Sequence, residues 1–244
     1  MNKSQKAIVF DFDGVVVDSA HECYIVAMKT WELMGRKIAV KNSEKIFRDA
    51  RPFAHFANSF YCVLTLMSQK KKITEEVIDK ILENDDAYKE FHKLFYHQRE
   101  EMKKRDMKKW LKLHTAYPGI VSAIKKLSKK YGVFIASAKD KASVMNLLES
   151  FGLNIDKENI IAKEFSTNKA EQIKFLSEKH HVPLSNMIFV EDYVNNAFKV
   201  KGIGVKVALV EWGYSTPEQR KRAKEMGMPI IKSGKIAEQL EELL

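Results

Sequence analysis

A short apolar run that is followed at once by two aspartates most constrains how this chain can fold. Residues 7–10 (Ala-Ile-Val-Phe) are all apolar, as in a parallel strand that is buried on both faces. Asp11 and Asp13 follow in the run Asp-Phe-Asp-Gly, and Gly14 allows a sharp turn directly after the second acid. In open α/β sheets, ligands bind beyond the carboxyl ends of the strands. We therefore expect the two aspartates to lie in a reaction centre.

Two later apolar runs also end in polar residues. Residues 133–136 are followed by Ser137, and residues 187–190 are followed by Glu191 and Asp192. Weaker strand patterns occur at residues 160–162 and 205–210. Helical patterns separate these runs, and such an alternation is typical of a parallel sheet with right-handed crossovers. We predict an α/β fold with a doubly wound parallel sheet, in which the polar strand ends meet at one edge.

The segment that follows the first strand gives only helical patterns. Apolar residues recur there three and four positions apart, as in residues 73–82. No convincing strand pattern appears before about residue 115. This predicts an all-helical domain at residues 18–115, inserted into a Rossmann-like catalytic core that consists of residues 1–17 and 116–244.

Composition and charge limit the class of protein. The chain has 244 residues, 45% of them hydrophobic, and its two cysteines lack the spacing of a zinc site or a disulfide framework. It shows no secretory pattern and no apolar run that could span a bilayer, so we expect a cytoplasmic protein without a membrane partner. The formal net charge is +10, but the lysines form short runs on helical patterns, without a nucleic-acid motif. We expect no nucleic-acid partner. The exposed faces of the helical insertion could support a dimer, but no pattern indicates an oligomer.

The polar strand ends follow an order that resembles the haloacid dehalogenase-like superfamily. The order is Asp-x-Asp-Gly-Val-Val-Val-Asp-Ser, then a strand ending in Ser137, then Lys169 opening a helix, then a strand ending in Glu-Asp. These four motifs span the predicted core. The helical insertion after the first motif resembles the superfamily's first type of cap domain. The chain is most similar to the phosphoglycolate phosphatase and β-phosphoglucomutase-like branch.

The resemblance implies a role for each acid, and elementary chemistry supports the roles. Asp11 would be the nucleophile that forms an aspartyl phosphate, and Asp13 would act first as general acid and then as general base. A carboxylate that approaches a phosphate dianion is repelled, so a cation is required, and Mg²⁺ suits carboxylate and phosphate oxygens. The expected ligands are Asp11, the main-chain carbonyl of Asp13, and Asp192, with Glu191 bound directly or through water.

The remaining motif residues would hold the transferring phosphoryl group. Ser137 and the backbone amide of Ala138 can donate hydrogen bonds to its oxygens, and Lys169 can neutralise charge on the nucleophile and the phosphate. Many relatives carry proline after this lysine and this chain does not, so Lys163 is the alternative. A second departure is Asn196, which stands where many relatives carry another aspartate, and a glutamate precedes the last motif's aspartate instead of glycine.

These features predict a magnesium-dependent phosphatase that hydrolyses a small phosphorylated metabolite. Asp13 argues against the dehalogenases of the superfamily, which lack the second aspartate. A phosphosugar mutase similar to β-phosphoglucomutase is the main alternative, but those mutases carry a histidine near the position of Cys23, and His21 is out of register. A phosphonate hydrolase would need a lysine in the cap. A phosphatase for nucleic-acid ends and a non-catalytic binding module are further alternatives.

Substrate choice should depend on the helical insertion, because a cap domain of the kind it resembles closes over the acids. Arg48, Arg51 and His55 cluster between helical patterns, where guanidinium groups could hold a second anionic group of the substrate. Surface arginines and a histidine at the edge of a core would explain the same residues. Asn196 is a further candidate contact for the substrate or the metal.

Overall fold

A computed structural model of the chain describes residues 5–244. The strands are, in chain order, β1 (Ala7–Phe10), β2 (Val17–Asp18), β3 (Thr115–Ala116), β4 (Gly132–Ala136), β5 (Ile160–Ile161), β6 (Met187–Glu191), β7 (Lys206–Val210) and β8 (Ile230–Ile231). The helices are α1 (Ala20–Leu33), α2 (Ser43–Asp49), α3 (Ala57–Ser68), α4 (Glu75–Asn84), α5 (Ala87–Arg105), α6 (Met107–Leu111), α7 (Ile120–Leu127), α8 (Lys141–Ser150), α9 (Lys169–His180), α10 (Val194–Lys201), α11 (Pro217–Glu225) and α12 (Ile236–Glu241).

The chain divides into two compact units. One consists of Met1–Asp18 together with Thr115–Leu244, and it holds the strands and helices α7 to α12. The other consists of Ser19–His114 and holds helices α1 to α6. Among residues 5–244, no helix combines the length and the apolar composition that crossing a membrane requires.

A six-stranded sheet organises the first unit. Its strand order is β5-β4-β1-β6-β7-β8, and all neighbouring strands are parallel. After β1, the chain forms β4 and β5 on one side of β1, and then β6, β7 and β8 on the other side. The topological switch point therefore lies between β1 and β6. Phe10 pairs with Ile135 of β4 and with Val190 of β6, so these three strands end at the same edge. The predicted doubly wound α/β fold is confirmed.

The central strand is apolar throughout because both of its faces are covered. All four residues of β1 are fully buried. Ala7 and Val9 belong to one buried cluster with Ile173 of α9 and Ala197 of α10. Side chains of a strand alternate between faces, so Ile8 and Phe10 point to the opposite side of the sheet. This explains the continuous apolar pattern of residues 7–10.

Two features of the first unit escaped the sequence patterns. β2 and β3 pair antiparallel as a small ribbon, with Val17 opposite Ala116. β8 pairs parallel with the end of β7 and closes one side of the large sheet. Each of these strands has two residues, which is too short for an alternating pattern to be recognised.

The helical unit is built around aromatic side chains. Trp31 of α1 and Tyr61 of α3 have ring centroids 5.7 Å apart, and Phe60 of α3 and Phe95 of α5 have centroids 5.6 Å apart. Phe91 of α5 also lies 5.8 Å from Tyr61. These rings are buried, and they join the three longest helices of the unit through contacts that are large in area and specific in geometry.

A buried ionic group joins α1, α5 and α6. Glu22 is fully buried, and its carboxylate accepts two hydrogen bonds from the guanidinium group of Arg99, each of 2.7 Å. The indole nitrogen of Trp110 donates a third hydrogen bond, of 3.0 Å, to the same carboxylate. The charge of Glu22 is therefore compensated by a bidentate partner and one further donor, which is the condition for a buried acid to be tolerated.

Arg99→Met should destabilise the helical unit by about 3 to 5 kcal/mol, because it leaves the carboxylate of Glu22 buried without its counter-charge. Urea unfolding followed by circular dichroism measures the loss. Lys93→Met is the matched control, since Lys93 is an exposed cation on the same helix. An equal effect of the two substitutions would contradict the importance of the Glu22 pair.

Candidate active site

Asp11 and Asp13 lie at the carboxyl end of β1. The backbone amide of Asp11 donates to the carbonyl of Val190, at 2.9 Å, so Asp11 continues the sheet beside β6. Its side chain is almost completely buried, whereas Asp13 is half-buried. The chain then turns at Gly14, which has a φ of +91° and whose amide donates to the carbonyl of Val17 at 2.8 Å. The two acids therefore project from a sheet edge and the turn that follows it.

Each of these aspartates has a buried lysine as a partner. The ammonium group of Lys169 lies 2.6 Å from Asp11 Oδ1 and also donates to the carbonyl of Ala136 at 2.5 Å. The ammonium group of Lys139 lies 3.2 Å from Asp13 Oδ1. Lys169 is the first residue of α9, as the sequence suggested, and the structure brings it against Asp11. Lys139 was not among the predicted site residues.

Ser137 and Ala138 follow β4 at the same edge. Ser137 is buried, its hydroxyl oxygen accepts from the amide of Lys139 at 3.0 Å, and its carbonyl accepts from the side chain of Gln172 at 2.8 Å. Asp140 caps the following helix by accepting from the amide of Ser143, so Ser137 is not needed as the helix cap. The position of the turn after β4 is thus held by contacts on both sides of Ser137.

The acids at the end of β6 each accept hydrogen bonds from neighbouring groups. Glu191 is fully buried, and its Oε1 accepts from the amides of Asp192 and Tyr193 at 2.9 and 3.1 Å. Asn196 donates to the other oxygen of Glu191 at 3.2 Å, which places this predicted residue beside the acid. Asp192 Oδ2 accepts from the amide of Tyr214 at 2.6 Å.

Two glycines make room for Asp192. A Cβ atom on Gly14 would lie 2.1 Å from Asp192 Oδ2, and a Cβ atom on Gly213 would lie 2.2 Å from Asp192 Cβ. Both distances are far below van der Waals contact, so neither position accepts a side chain while Asp192 keeps its place. The run Trp212-Gly213-Tyr214 after β7 was visible in the sequence, but nothing in it indicated this contact with Asp192.

The carboxylates are suited to a divalent cation. Asp11, Glu191 and Asp192 each offer one oxygen, and these oxygens lie within 4.8 Å of one another. Burial raises the pKa of Asp11 to about 7, although Lys169 opposes the rise. Burial and the neighbouring Asp192 raise the pKa of Glu191 to about 8. Clustered oxygen ligands with excess negative charge fit Mg²⁺, and Asp13 could add its main-chain carbonyl.

The three predicted substrate residues of the helical unit differ in their surroundings. Arg48 is exposed on α2. Arg51 is buried: its guanidinium group donates to the carbonyl of Ala54 at 2.6 Å and lies 4.9 Å from the ring centroid of Phe60. Its contacts are those of a residue that holds the segment after α2 in place. His55 is half-buried, and burial together with the charge of Arg51 lowers its pKa to about 3.

Comparison with known proteins agrees with this geometry. A family model described as haloacid dehalogenase-like hydrolase matches residues 5–198, which is most of the chain. The chain therefore belongs to the haloacid dehalogenase-like hydrolases and is an enzyme of the hydrolase class, as its motifs predicted. Comparison with curated proteins gives no match.

Several solved structures share the fold over nearly the whole chain. A predicted phosphoglycolate phosphatase from Haemophilus somnus 129PT is 16% identical, with a TM-score of 0.67 and 99% of each chain covered. A haloacid dehalogenase-like family hydrolase from Streptococcus pneumoniae is 17% identical, with a TM-score of 0.65 and 98% of each chain covered. A predicted phosphatase from Clostridium acetobutylicum is also 17% identical, with a TM-score of 0.60, and 97% of this chain and 98% of that chain are covered.

Gly14→Ala should destabilise the protein more than Gly204→Ala does. Both glycines have a left-handed backbone, with φ of +91° and +87°, so both substitutions carry a backbone cost of about 1 kcal/mol. Only at Gly14 does the new Cβ collide with Asp192, whereas Gly204 has open space. We expect a further loss of about 1 to 3 kcal/mol for Gly14→Ala in urea unfolding. Equal losses would show that Asp192 is free to move aside.

His55→Gln should make stability less sensitive to acid. The lowered pKa of His55 means that the unfolded state binds the proton first as the pH falls below 6.5, so the wild type loses stability between pH 6.5 and about 3. Between pH 7 and pH 5 the unfolding free energy of the wild type should fall by about 2 kcal/mol more than that of His55→Gln. His97→Gln, an exposed histidine on α5, is the control and should behave as the wild type does.

Proposed function

We propose that the protein is a magnesium-dependent phosphatase that hydrolyses a small phosphorylated metabolite through an aspartyl phosphate on Asp11. The observation that carries the proposal is the convergence of Asp11 with Lys169, Glu191 and Asp192 at the switch point of the sheet. The half-buried second aspartate, Asp13, supports phosphate chemistry in particular. A leaving alkoxide needs a proton, and a carboxyl group two residues from the nucleophile can deliver one.

The first half of the reaction transfers the phosphoryl group to the enzyme. An oxygen of Asp11 attacks phosphorus, the bond from phosphorus to the ester oxygen breaks, and its electron pair stays on that oxygen, which takes a proton from Asp13. Ser137, the amide of Ala138 and Lys169 would bind the phosphoryl oxygens. A bound Mg²⁺ ion, held by Asp11, Asp13 through its carbonyl, Asp192 and Glu191, would supply the positive charge that offsets repulsion between the carboxylate and the phosphate.

The second half releases inorganic phosphate. Asp13, now ionised, removes a proton from a water molecule, whose oxygen attacks phosphorus while the bond to Asp11 breaks. Asp11 returns to its carboxylate form and Asp13 to its protonated form. The same carboxyl group therefore works first as an acid and then as a base, so its position matters in both halves.

The helical unit, residues 19–114, is the proposed cap that selects the substrate. In chain order it lies between β2 and β3, and it carries Arg48 in an exposed position. Because Arg51 is held by contacts within the unit, Arg48 becomes the better candidate for binding a second anionic group. We place the enzyme in the cytoplasm, with a small phosphorylated metabolite as its partner. The name of the Haemophilus somnus relative makes 2-phosphoglycolate the first substrate to assay.

A phosphosugar mutase is the second candidate, favoured by the Glu-Asp pair at the end of β6. Against it, His21 contacts Glu44 at 2.7 Å, and Cys23 lies 3.6 Å from the guanidinium group of Arg99 within the helical unit. Neither side chain supplies the histidine that those mutases place in the first cap helix. Phosphorus NMR of incubations with hexose phosphates separates the two: a mutase yields an isomeric sugar phosphate, and a phosphatase yields inorganic phosphate.

Asp11→Asn should abolish magnesium-dependent phosphate release from a panel of phosphorylated metabolites and p-nitrophenyl phosphate. The amide is isosteric but not nucleophilic, so the rate should fall at least about a thousandfold. Asp49→Asn, an exposed aspartate on α2, is the matched control and should retain full activity. Chelation of Mg²⁺ should stop the wild type, and added Mg²⁺ should restore it. Turnover that persists in Asp11→Asn would remove Asp11 as the nucleophile.

A further inference from the structure

Lys139 occupies a position that the assigned roles do not explain. Its side chain is almost completely buried and ends 3.2 Å from Asp13 Oδ1. Its backbone is held on both sides, since its amide donates to Ser137 Oγ at 3.0 Å and its carbonyl accepts from the amide of Lys163 at 3.2 Å. A buried lysine gives up both hydration and side-chain freedom, so the ion pair with Asp13 must offset a considerable cost.

The two lysines of the site serve different acids. Lys169 contacts Asp11 and the carbonyl of Ala136, and Lys139 contacts Asp13. Asp13 is more exposed than Asp11, and it lies in the turn before Gly14, so its carboxylate has less surrounding structure to fix its direction. An acid that must reach first the leaving oxygen and then a water molecule depends on its direction.

We propose that Lys139 is a positioning residue for Asp13. Its buried ammonium group, 3.2 Å from Asp13 Oδ1, holds the carboxyl group in the direction from which it protonates the leaving group and, once ionised, deprotonates water. This inference rests on the proposed phosphatase function. It assigns Lys139 no contact with the phosphoryl group, which separates its role from that of Lys169.

The role has a kinetic signature because Asp13 acts twice. p-Nitrophenolate leaves without a proton, so formation of the aspartyl phosphate from p-nitrophenyl phosphate does not need Asp13. Hydrolysis of that intermediate does need it. With p-nitrophenyl phosphate, a misplaced Asp13 therefore slows only the hydrolysis of the aspartyl phosphate. With an alkyl phosphate, whose leaving oxygen requires a proton, it slows both the formation and the hydrolysis of that intermediate.

The experiment is stopped-flow and steady-state kinetics of Lys139→Met with Mg²⁺. With p-nitrophenyl phosphate we expect a burst that approaches one p-nitrophenol per enzyme, then turnover about 10- to 100-fold slower than wild type. Because kcat and KM should fall together, kcat/KM should stay near the wild-type value. With an alkyl phosphate, kcat/KM itself should fall. Asp13→Asn should show the same burst, and Lys174→Met, an exposed lysine on α9, should match the wild type.

Two results would overturn the proposal. A rise in KM with a lower kcat/KM for p-nitrophenyl phosphate and no burst would make Lys139 a phosphate-binding residue. Wild-type kinetics with both substrates would make it structural. If Lys139→Met does not fold, Lys139→Gln is used for the same measurements. Lys139→Arg keeps the positive charge and should restore part of the rate at which the aspartyl phosphate is hydrolysed. A burst in Asp13→Asn but not in Lys139→Met would contradict only the positioning role of Lys139. Activity that is independent of Asp11 and Mg²⁺ would contradict the proposed phosphatase function itself.

Discussion

The burial of three carboxylates at one end of the sheet is the constraint on which the rest of the site depends. Oxygens of Asp11, Glu191 and Asp192 lie within 4.8 Å of one another, and such a cluster of like charges is costly unless positive charge and donors compensate it. Lys169 supplies one positive charge, and the amides of residues 192, 193 and 214 supply donors. The negative charge that remains uncompensated is what makes the cluster suitable for a divalent cation.

A further buried acid, Glu22 of the helical unit, has surroundings that lead to the opposite conclusion. Glu22 is met by a bidentate guanidinium group from Arg99 and by the indole of Trp110, so its charge is balanced within the helical unit. Asp11 and Glu191 instead have raised pKa values, because burial and neighbouring acids outweigh their one lysine. A buried acid whose charge is balanced is tolerated within a fold, and an unbalanced group of acids is expected where chemistry takes place.

The sequence predicted both the doubly wound sheet and the acids at its edge, because the positions of the strands also determine where the residues that follow them lie. Parallel strands end at the same edge, so residues directly after apolar runs, such as Asp11 and Asp192, had to come together. Lys139 and Tyr214 could not be found in this way. Each follows a predicted strand by a few residues, so its direction depends on the path of the intervening turn. In the structure that path brings Lys139 to Asp13 and the backbone amide of Tyr214 to Asp192. The two-residue strands β2, β3 and β8 were too short to show an alternating pattern.

Direct trapping tests whether Asp11 carries the phosphoryl group during turnover. Borohydride reduces an acyl phosphate to an alcohol, so an aspartyl phosphate that is quenched with borohydride becomes homoserine, which peptide mass spectrometry locates. With Mg²⁺ and p-nitrophenyl phosphate, we expect homoserine at position 11, most abundantly in Asp13→Asn, where the intermediate accumulates. Hydrolysis that proceeds with an unmodified Asp11, or homoserine at another position, would contradict this role of Asp11.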